Sequence, residues 1–302
     1  MLKILFLMNK LAFKQKLKKF LRTNFQNFFV ESRTSTLTKT RLFSGNFRIL
    51  PDFIIIGVQK CGTTSLYEYM TKHPEIKAAI TKQPHYFDAN YEKNLVWYKA
   101  HFPTKIKKIF NTKILKKQLL TGEASTDYIN HPLVPKRIKN IIPNVKIIII
   151  LRDPVKRTYS HYQMNKKIGI ENQPIMQALK NDLNQFEERE KEVLEKDIFY
   201  SDYFKRFQYL GRGEYARQIK KWEEFFPKNQ ILILKLEDLE KDPQKVLNDI
   251  FKFLKLNEKK IEKFTKINVG KYEKMEEGVK KFLEEYFESH NKELFEKYNI
   301  KF

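Results

Sequence analysis

Four consecutive strand-forming residues, Phe53-Ile54-Ile55-Ile56, run into the loop Gly57-Val58-Gln59-Lys60-Cys61-Gly62-Thr63-Thr64-Ser65, after which a helical pattern continues through Leu66, Tyr67, Tyr69 and Met70. A run that is apolar at every position, without alternation, fits a strand covered on both faces, as in a parallel sheet between helices. Two further runs share this character. Lys146 leads into Ile147-Ile148-Ile149-Ile150-Leu151, followed by Arg152-Asp153-Pro154 and another helical stretch, and Ile231-Leu232-Ile233-Leu234 follows the helix-like segment Tyr215 to Phe226. Strands alternating with helices predict a P-loop-like, doubly wound α/β fold, a parallel sheet flanked by helices. Residues 171–200 are polar and acidic at helical spacing (Glu187, Glu188, Glu190, Glu192, Glu195) and predict a solvated helical excursion over the sheet. No internal repeat is visible.

The chain has 302 residues, 41% of them hydrophobic, enough for one large core. Twenty-five Phe and fifteen Tyr are too many for a chain that stays solvated. Cys61 is the only cysteine, so an intramolecular disulfide is excluded. The net charge of +23 attracts polyanions of any kind and does not choose among them; a genome rich in A and T writes the same abundance of Lys, Asn, Ile and Phe without selection on function. Residues 1–50 stand apart, with eleven basic residues against one acid, Glu31. The division expected is a basic N-terminal extension over 1–50 and a single domain over 51–302. Leu2, Leu5, Phe6, Met8, Leu11, Phe13, Leu17, Phe20 and Leu21 share one helical face between lysines, which fits peripheral contact of residues 1–22 with an anionic membrane, an organelle-targeting segment, or a solvated extension. The longest uncharged apolar run there, Ile4 to Met8, is far short of the ~20 residues a membrane-spanning helix needs. Cytoplasmic or peripheral-membrane residence is therefore expected, with a Golgi-type location left open. Ser32 to Ser44 reads as a Ser/Thr-rich linker.

The loop after the first strand has the logic of an anion cradle: backbone N–H groups at a helix start, joined by the hydroxyls of Thr63, Thr64 and Ser65. It is not a nucleotide triphosphatase loop, whose lysine follows the second glycine. Here Thr63 holds that place, and Lys60 sits two residues before Gly62, where it supplies a mobile charge at the reacting end. A second anion site follows the Ile147–Leu151 strand. Arg152 ends that strand and Ser160 comes eight residues later, and an arginine fork with a hydroxyl suits a terminal phosphate.

Together the two elements resemble the sulfotransferase family, whose donor is 3′-phosphoadenosine 5′-phosphosulfate (PAPS; product PAP). Phe53 to Leu66 is similar to the family's strand-loop-helix for the 5′-phosphosulfate, and Leu151 to Tyr162 to its 3′-phosphate element. Lys82-Gln83-Pro84-His85-Tyr86-Phe87-Asp88, Trp97-Tyr98 with Phe102-Pro103, Gly122 to Tyr128, and Gly211 to Tyr215 with Trp222 to Pro243 resemble the heparan sulfate and carbohydrate-type enzymes. The resemblance covers residues 51–302. It implies that Lys60, Cys61, Gly62, Thr63, Thr64, Ser65, Arg152 and Ser160 bind the donor, with Lys60 neutralising the bridging oxygen of the leaving phosphate. Asn268 to Tyr272 resembles a late loop that closes on the donor, which adds Gly270 and Lys271. No metal and no nucleic acid partner are expected.

The acceptor side departs from that pattern. Heparan-type enzymes place a glutamate base where this chain has Gln83, and a lysine where it has Ala124. An amide cannot take a catalytic proton, so His85, a neutral imidazole near pH 7, is the expected base, with Gln83 positioning the acceptor. Trp97 and Arg212 are further acceptor candidates, while His73, His101, His131, His161 and His290 lack metal-ligand spacing and carry no expected catalysis. Cys61, at a helix start, either has a lowered pKa or simply fits a small space. The function implied is transfer of a sulfuryl group to a hydroxyl or amine of an acceptor, a carbohydrate or glycosaminoglycan-like glycan. The alternatives are a P-loop nucleotide kinase or NTPase, and a catalytically disabled polyanion-binding module.

Overall fold

The structure, a computed structural model, describes residues 34–196, 206–265 and 272–302. Five parallel strands form one sheet: Phe53–Gly57 (β1), Ile76–Ala78 (β2), Leu120–Glu123 (β3), Lys146–Leu151 (β4) and Ile231–Lys235 (β5), in the order β2-β3-β1-β4-β5. The three apolar runs became β1, β4 and β5, at the centre and one side. Every residue of β1 is buried, and in β4 only Lys146 is not. β5 is an edge strand in which Leu234 alone is buried, so its unbroken apolar run did not mean burial on both faces.

β2 and β3 carry no comparable signal, because Ile-Lys-Ala and Leu-Thr-Gly-Glu are too short and mixed to read as strands. Tertiary contacts select them. The Asp52 carboxylate accepts the Thr121 N–H at 2.9 Å, and Gly122 lies so close to Phe53 that a Cβ there would meet the ring at 2.4 Å.

Helices cover the sheet. Residues 34–42 form α1, followed by Thr63–Met70 (α2), Leu95–Lys99 (α3), Lys105–Lys113 (α4), Val134–Ile141 (α5), Pro154–Lys167 (α6) and Ile175–Lys196 (α7). The linker expected over Ser32 to Ser44 is thus largely helical, with Thr38 buried and its hydroxyl donating to Thr34 O at 2.8 Å. The Arg152-Asp153-Pro154 signal is a helix start. Asp153 caps α6 by accepting from Val155 N and Lys156 N, and Pro154 takes the first turn, where no backbone donor is needed.

α7 runs where a helical excursion was expected, but its first turns are packed rather than solvated. Ala178, Leu179 and Asp182 are buried, and Asp182 accepts the Leu210 N–H at 2.6 Å. Ala178 and Leu179 belong to a second apolar cluster with Val155, Tyr209, Leu283 and Phe287, apart from the sheet core. The side chains of the glutamates from Glu187 to Glu195 lie outside the described residues, as do residues 1–22. Among the described residues no helix is long and apolar enough to cross a membrane. Strand order reverses at the centre of the sheet, so the loops after β1 and β4 open a crevice beyond their C-terminal ends, where open parallel sheets bind ligands.

Candidate active site

The loop after β1 is held from both sides. Val58 N–H donates to Ile150 O of β4 at 2.9 Å, and Cys61 N–H turns back onto Val58 O at 3.1 Å. Lys60 and Gly62 both take left-handed backbone conformations, φ 73° and 80°. Gly62 is required twice over: only glycine adopts that φ freely, and a Cβ would stand 2.5 Å from Leu236 Cδ1. Gly62 caps α2 with no side-chain hydrogen bond, so the positive end of the helix faces the crevice without a capping acceptor.

The crevice is a cleft of about 460 Å³. Gln59, Lys60, Gly62, Thr63, Thr64 and Ser65 form one side, Arg152 and Ser160 another, and Leu236, Phe264 and Tyr272 complete the wall. Arg152 Nη1 donates to Lys60 O at 3.2 Å, and Tyr215 OH fixes Arg152 through its carbonyl at 2.8 Å. The two anion sites inferred from sequence therefore open into one cavity.

Two polar groups were not singled out in the sequence: Tyr272 lines the cleft, and Lys82 stands behind Thr64. Lys82 Nζ donates to Thr64 Oγ1 at 2.7 Å; burial lowers its pKa to about 8, against the charge of Glu68. Tyr272 OH accepts from Ser160 Oγ at 3.3 Å. Burial would raise that phenol, but hydrogen bonds from Ser160 and Lys60 and the charges of Lys60 and Arg152 bring it below its ordinary value. A hydroxyl made more acidic by two donors and the charges of Lys60 and Arg152 marks a place prepared for negative charge. Both residues stood inside quoted motifs, and only the fold shows where their side chains end. Gly270 and Lys271 lie outside the described residues.

Cys61 does not reach the cleft. Its thiol is fully buried, 3.9 Å from Tyr215 OH, and burial pushes its pKa up to about 12 against the charge of Arg157. A lowered pKa is overturned because desolvation outweighs the helix end. Arg212 lies behind the wall instead of in an acceptor site. It is fully buried, ion-paired with Asp127, and its Nη1 holds Gln59 Oε1 at 3.3 Å.

Gln83 lines the cleft and His85 lies behind it, with Nε2 3.2 Å from Gln83 Oε1. His85 Nδ1 pairs with the fully buried Asp88 at 2.8 Å. Burial would lower this imidazole, but the hydrogen bond and charge of Asp88, helped by Asp127 and Glu123, raise it to about 8. The expectation of a neutral ring at pH 7 is corrected: His85 is mainly protonated there, because a buried carboxylate holds its proton. Ser125 Oγ accepts the His85 N–H at 3.2 Å and donates to Glu123, which also accepts from Tyr98 OH at 2.6 Å. Burial raises Glu123 to about 7 despite those donors.

Gln83 also lines a second cavity, of about 470 Å³. Its walls are Thr34, Ser35, Thr38, Lys39 and Leu42 of α1, and Thr81, Pro84, Asn90, Lys93, Trp97 and His101. Lys93 Nζ sits 4.3 Å from the Trp97 ring. Tyr98 and Phe102 are buried in the aromatic core, so of the aromatics at 97, 98 and 102 only Trp97 lines this cavity. His101 is held neutral at pH 7, its pKa lowered to about 4 by burial and by the charges of Lys93 and Arg41.

A family model described as a sulfotransferase domain matches residues 50–299. A membrane-associated sulfotransferase, kil1, of Dictyostelium discoideum is 27% identical over 85% of this chain and 67% of its own length. Heparan sulfate glucosamine 3-O-sulfotransferase 3B1 of Homo sapiens is 31% identical over 71% of this chain and 48% of its own length. The chain therefore spans about half of that enzyme. A solved sulfotransferase from Alicyclobacillus acidocaldarius superposes with a TM-score of 0.62 at 23% identity, covering 84% of this chain and 98% of the other, which is a likeness of fold.

Proposed function

The chain belongs to the sulfotransferase domain family, and from that premise we propose that it moves a sulfuryl group from PAPS to a hydroxyl or amine of an acidic glycan. The observation that carries the proposal is the opening of Lys60 and Arg152 into one cleft, beside an uncapped helix start. The residues fit a doubly phosphorylated adenosine: two cationic ends, hydroxyl donors between them, and a volume within the ~300–1,000 Å³ of small-molecule sites. Lys60, Thr63, Thr64 and Ser65 would hold the 5′ end, and Arg152 with Ser160 the 3′-phosphate. When bound, PAPS supplies a sulfuryl group activated by its phosphate leaving group. Lys60 then offsets the negative charge that develops as that bond weakens, and Lys82 fixes Thr64 beside it.

The acceptor enters through the second cavity, which meets the first at Gln83. Its aromatic face at Trp97 and its lysines, Lys39 and Lys93, suit a sugar ring bearing carboxylate or sulfate. The heparan sulfate relative supports this acceptor class. His85 takes the acceptor proton once it has lost its own: with its remaining proton on Nδ1 facing Asp88, Nε2 becomes the proton acceptor, and Gln83, whose Oε1 accepts the Nε2–H at 3.2 Å while the ring is protonated, turns its amide to free that nitrogen. The membrane-associated name of the Dictyostelium relative supports a peripheral-membrane residence.

Calorimetry tests the donor assignment. PAP binds without magnesium, whereas binding of ATP with magnesium and not of PAP would return the nucleotide-kinase reading. Incubation with labelled PAPS and a panel of glycans, read by mass spectrometry for added sulfate, tests the acceptor class.

A further inference from the structure

None of the nine residues of α4 is buried, although its sequence is Lys-Ile-Lys-Lys-Ile-Phe-Asn-Thr-Lys. Ile106, Ile109 and Phe110, at i, i+3 and i+4, share one face, and Ile106 is 73% exposed. The apolar face continues into Ile114 and Leu115. An antiparallel bridge between Arg48 and Thr104 brings Phe47 beside the start of the helix, and Phe43, 95% exposed, precedes it. Residues 104–117 contain six lysines and no acid. Lys108 pairs with Asp52 at 2.6 Å and pins the helix to the domain. Among the described residues, no carboxylate pairs with Lys105, Lys107 or Lys113.

We propose that α4 and its flanks, with Phe43 and Phe47, form a docking surface for an anionic lipid bilayer. The Ile, Leu and Phe side chains enter the headgroup boundary and the lysines meet lipid phosphates. Lysines alone would suit any polyanion. Nucleic acid or a sulfated glycan offers no apolar surface to the isoleucines and leucine of this face, whereas the hydrocarbon of a bilayer takes the whole face out of water. A second copy of the chain is disfavoured, because a two-fold contact would set these lysines against one another. The surface lies outside both cavities, and the assignment does not depend on residues 1–22.

A fluorophore on a full-length Phe110→Cys chain reports insertion at this helix; the native Cys61 is buried and escapes labelling. With phosphatidylcholine vesicles containing phosphatidylserine, its emission shifts to the blue, and with phosphatidylcholine alone it does not. Lys105→Glu with Lys107→Glu lowers vesicle partitioning roughly 30-fold or more. Ile106→Ser with Ile109→Ser lowers it at least about tenfold. Sulfation of a soluble acceptor is unchanged in both variants. Flotation with no change at position 110 would assign the contact elsewhere in the chain and overturn the proposal. Absence of flotation overturns it as well. So does a label already shielded without vesicles, which would mean cover by a second copy or by the chain's own segment.

Discussion

Lys60 and His85, the two residues assigned to chemistry, both hold positive φ, 73° and 49°, conformations that cost a non-glycine residue about 1–2 kcal/mol. Each is held there by neighbours: Arg152 on Lys60 O, Ser125 on His85 N. Removing the charge in Lys60→Ala should lower kcat by about 10²–10³-fold, while PAP affinity, measured by calorimetry, falls much less. For His85 the sign follows from its raised value of about 8. A base must be deprotonated, so kcat/KM should climb with pH and level off above about 8. Asp88→Asn removes the group that holds the proton and leaves burial to lower the value, so the midpoint should move to lower pH. A profile flat from pH 6 to 9 would remove His85 from the proton transfer. The same shift makes His85 stabilising below its free value of ~6.5, a contribution lost as pH rises through about 8. At this scale the sequence identified Lys60 and Arg152 by type and place, because a strand end and a glycine turn dictate where such side chains go. It offered Arg212 to the acceptor and left Cys61 open between a lowered pKa and a small space to fill, since burial is a property of neighbours far along the chain.

The strand-loop-helix unit is where local sequence and global fold agree most closely. Gly62→Ala meets both a left-handed φ and Leu236 Cδ1 at 2.5 Å. It should destabilise the fold by about 1–2 kcal/mol in urea unfolding and weaken PAP binding, because the helix start it positions is part of the cradle. β1 and β4 were legible because Phe53 to Ile56 and Ile147 to Leu151 are unbroken apolar runs. β2 and β3 were not, because each is chosen by its neighbours, β3 by Asp52 and Phe53 and β2 by its pairing with β3; nor was α1, whose Ser/Thr-rich turns bury only Thr38.

Across the molecule, two apolar clusters divide the work of stability. The sheet core was evident from its isoleucines, while the second cluster joins α6, α7 and the C-terminal helix Glu277–Tyr298 around Phe287. Phe287→Ala should cost about 3–5 kcal/mol, read as a lower denaturant midpoint. That helix packs over Gly213, where a Cβ would meet the Phe287 ring at 2.6 Å. With a net charge of +23, glycan affinity should fall as salt rises through the physiological range, as the Debye length shrinks below about 10 Å. The sequence by itself determined the parallel α/β class and the strand-loop-helix at Phe53 to Leu66, since both follow from the order of residues within one strand, one loop and one helix. Only the tertiary structure decided the proton on His85, the burial of Arg212 and the meeting of two cavities at Gln83. Those depend on which distant groups share a low-dielectric interior, and chain order alone does not specify that.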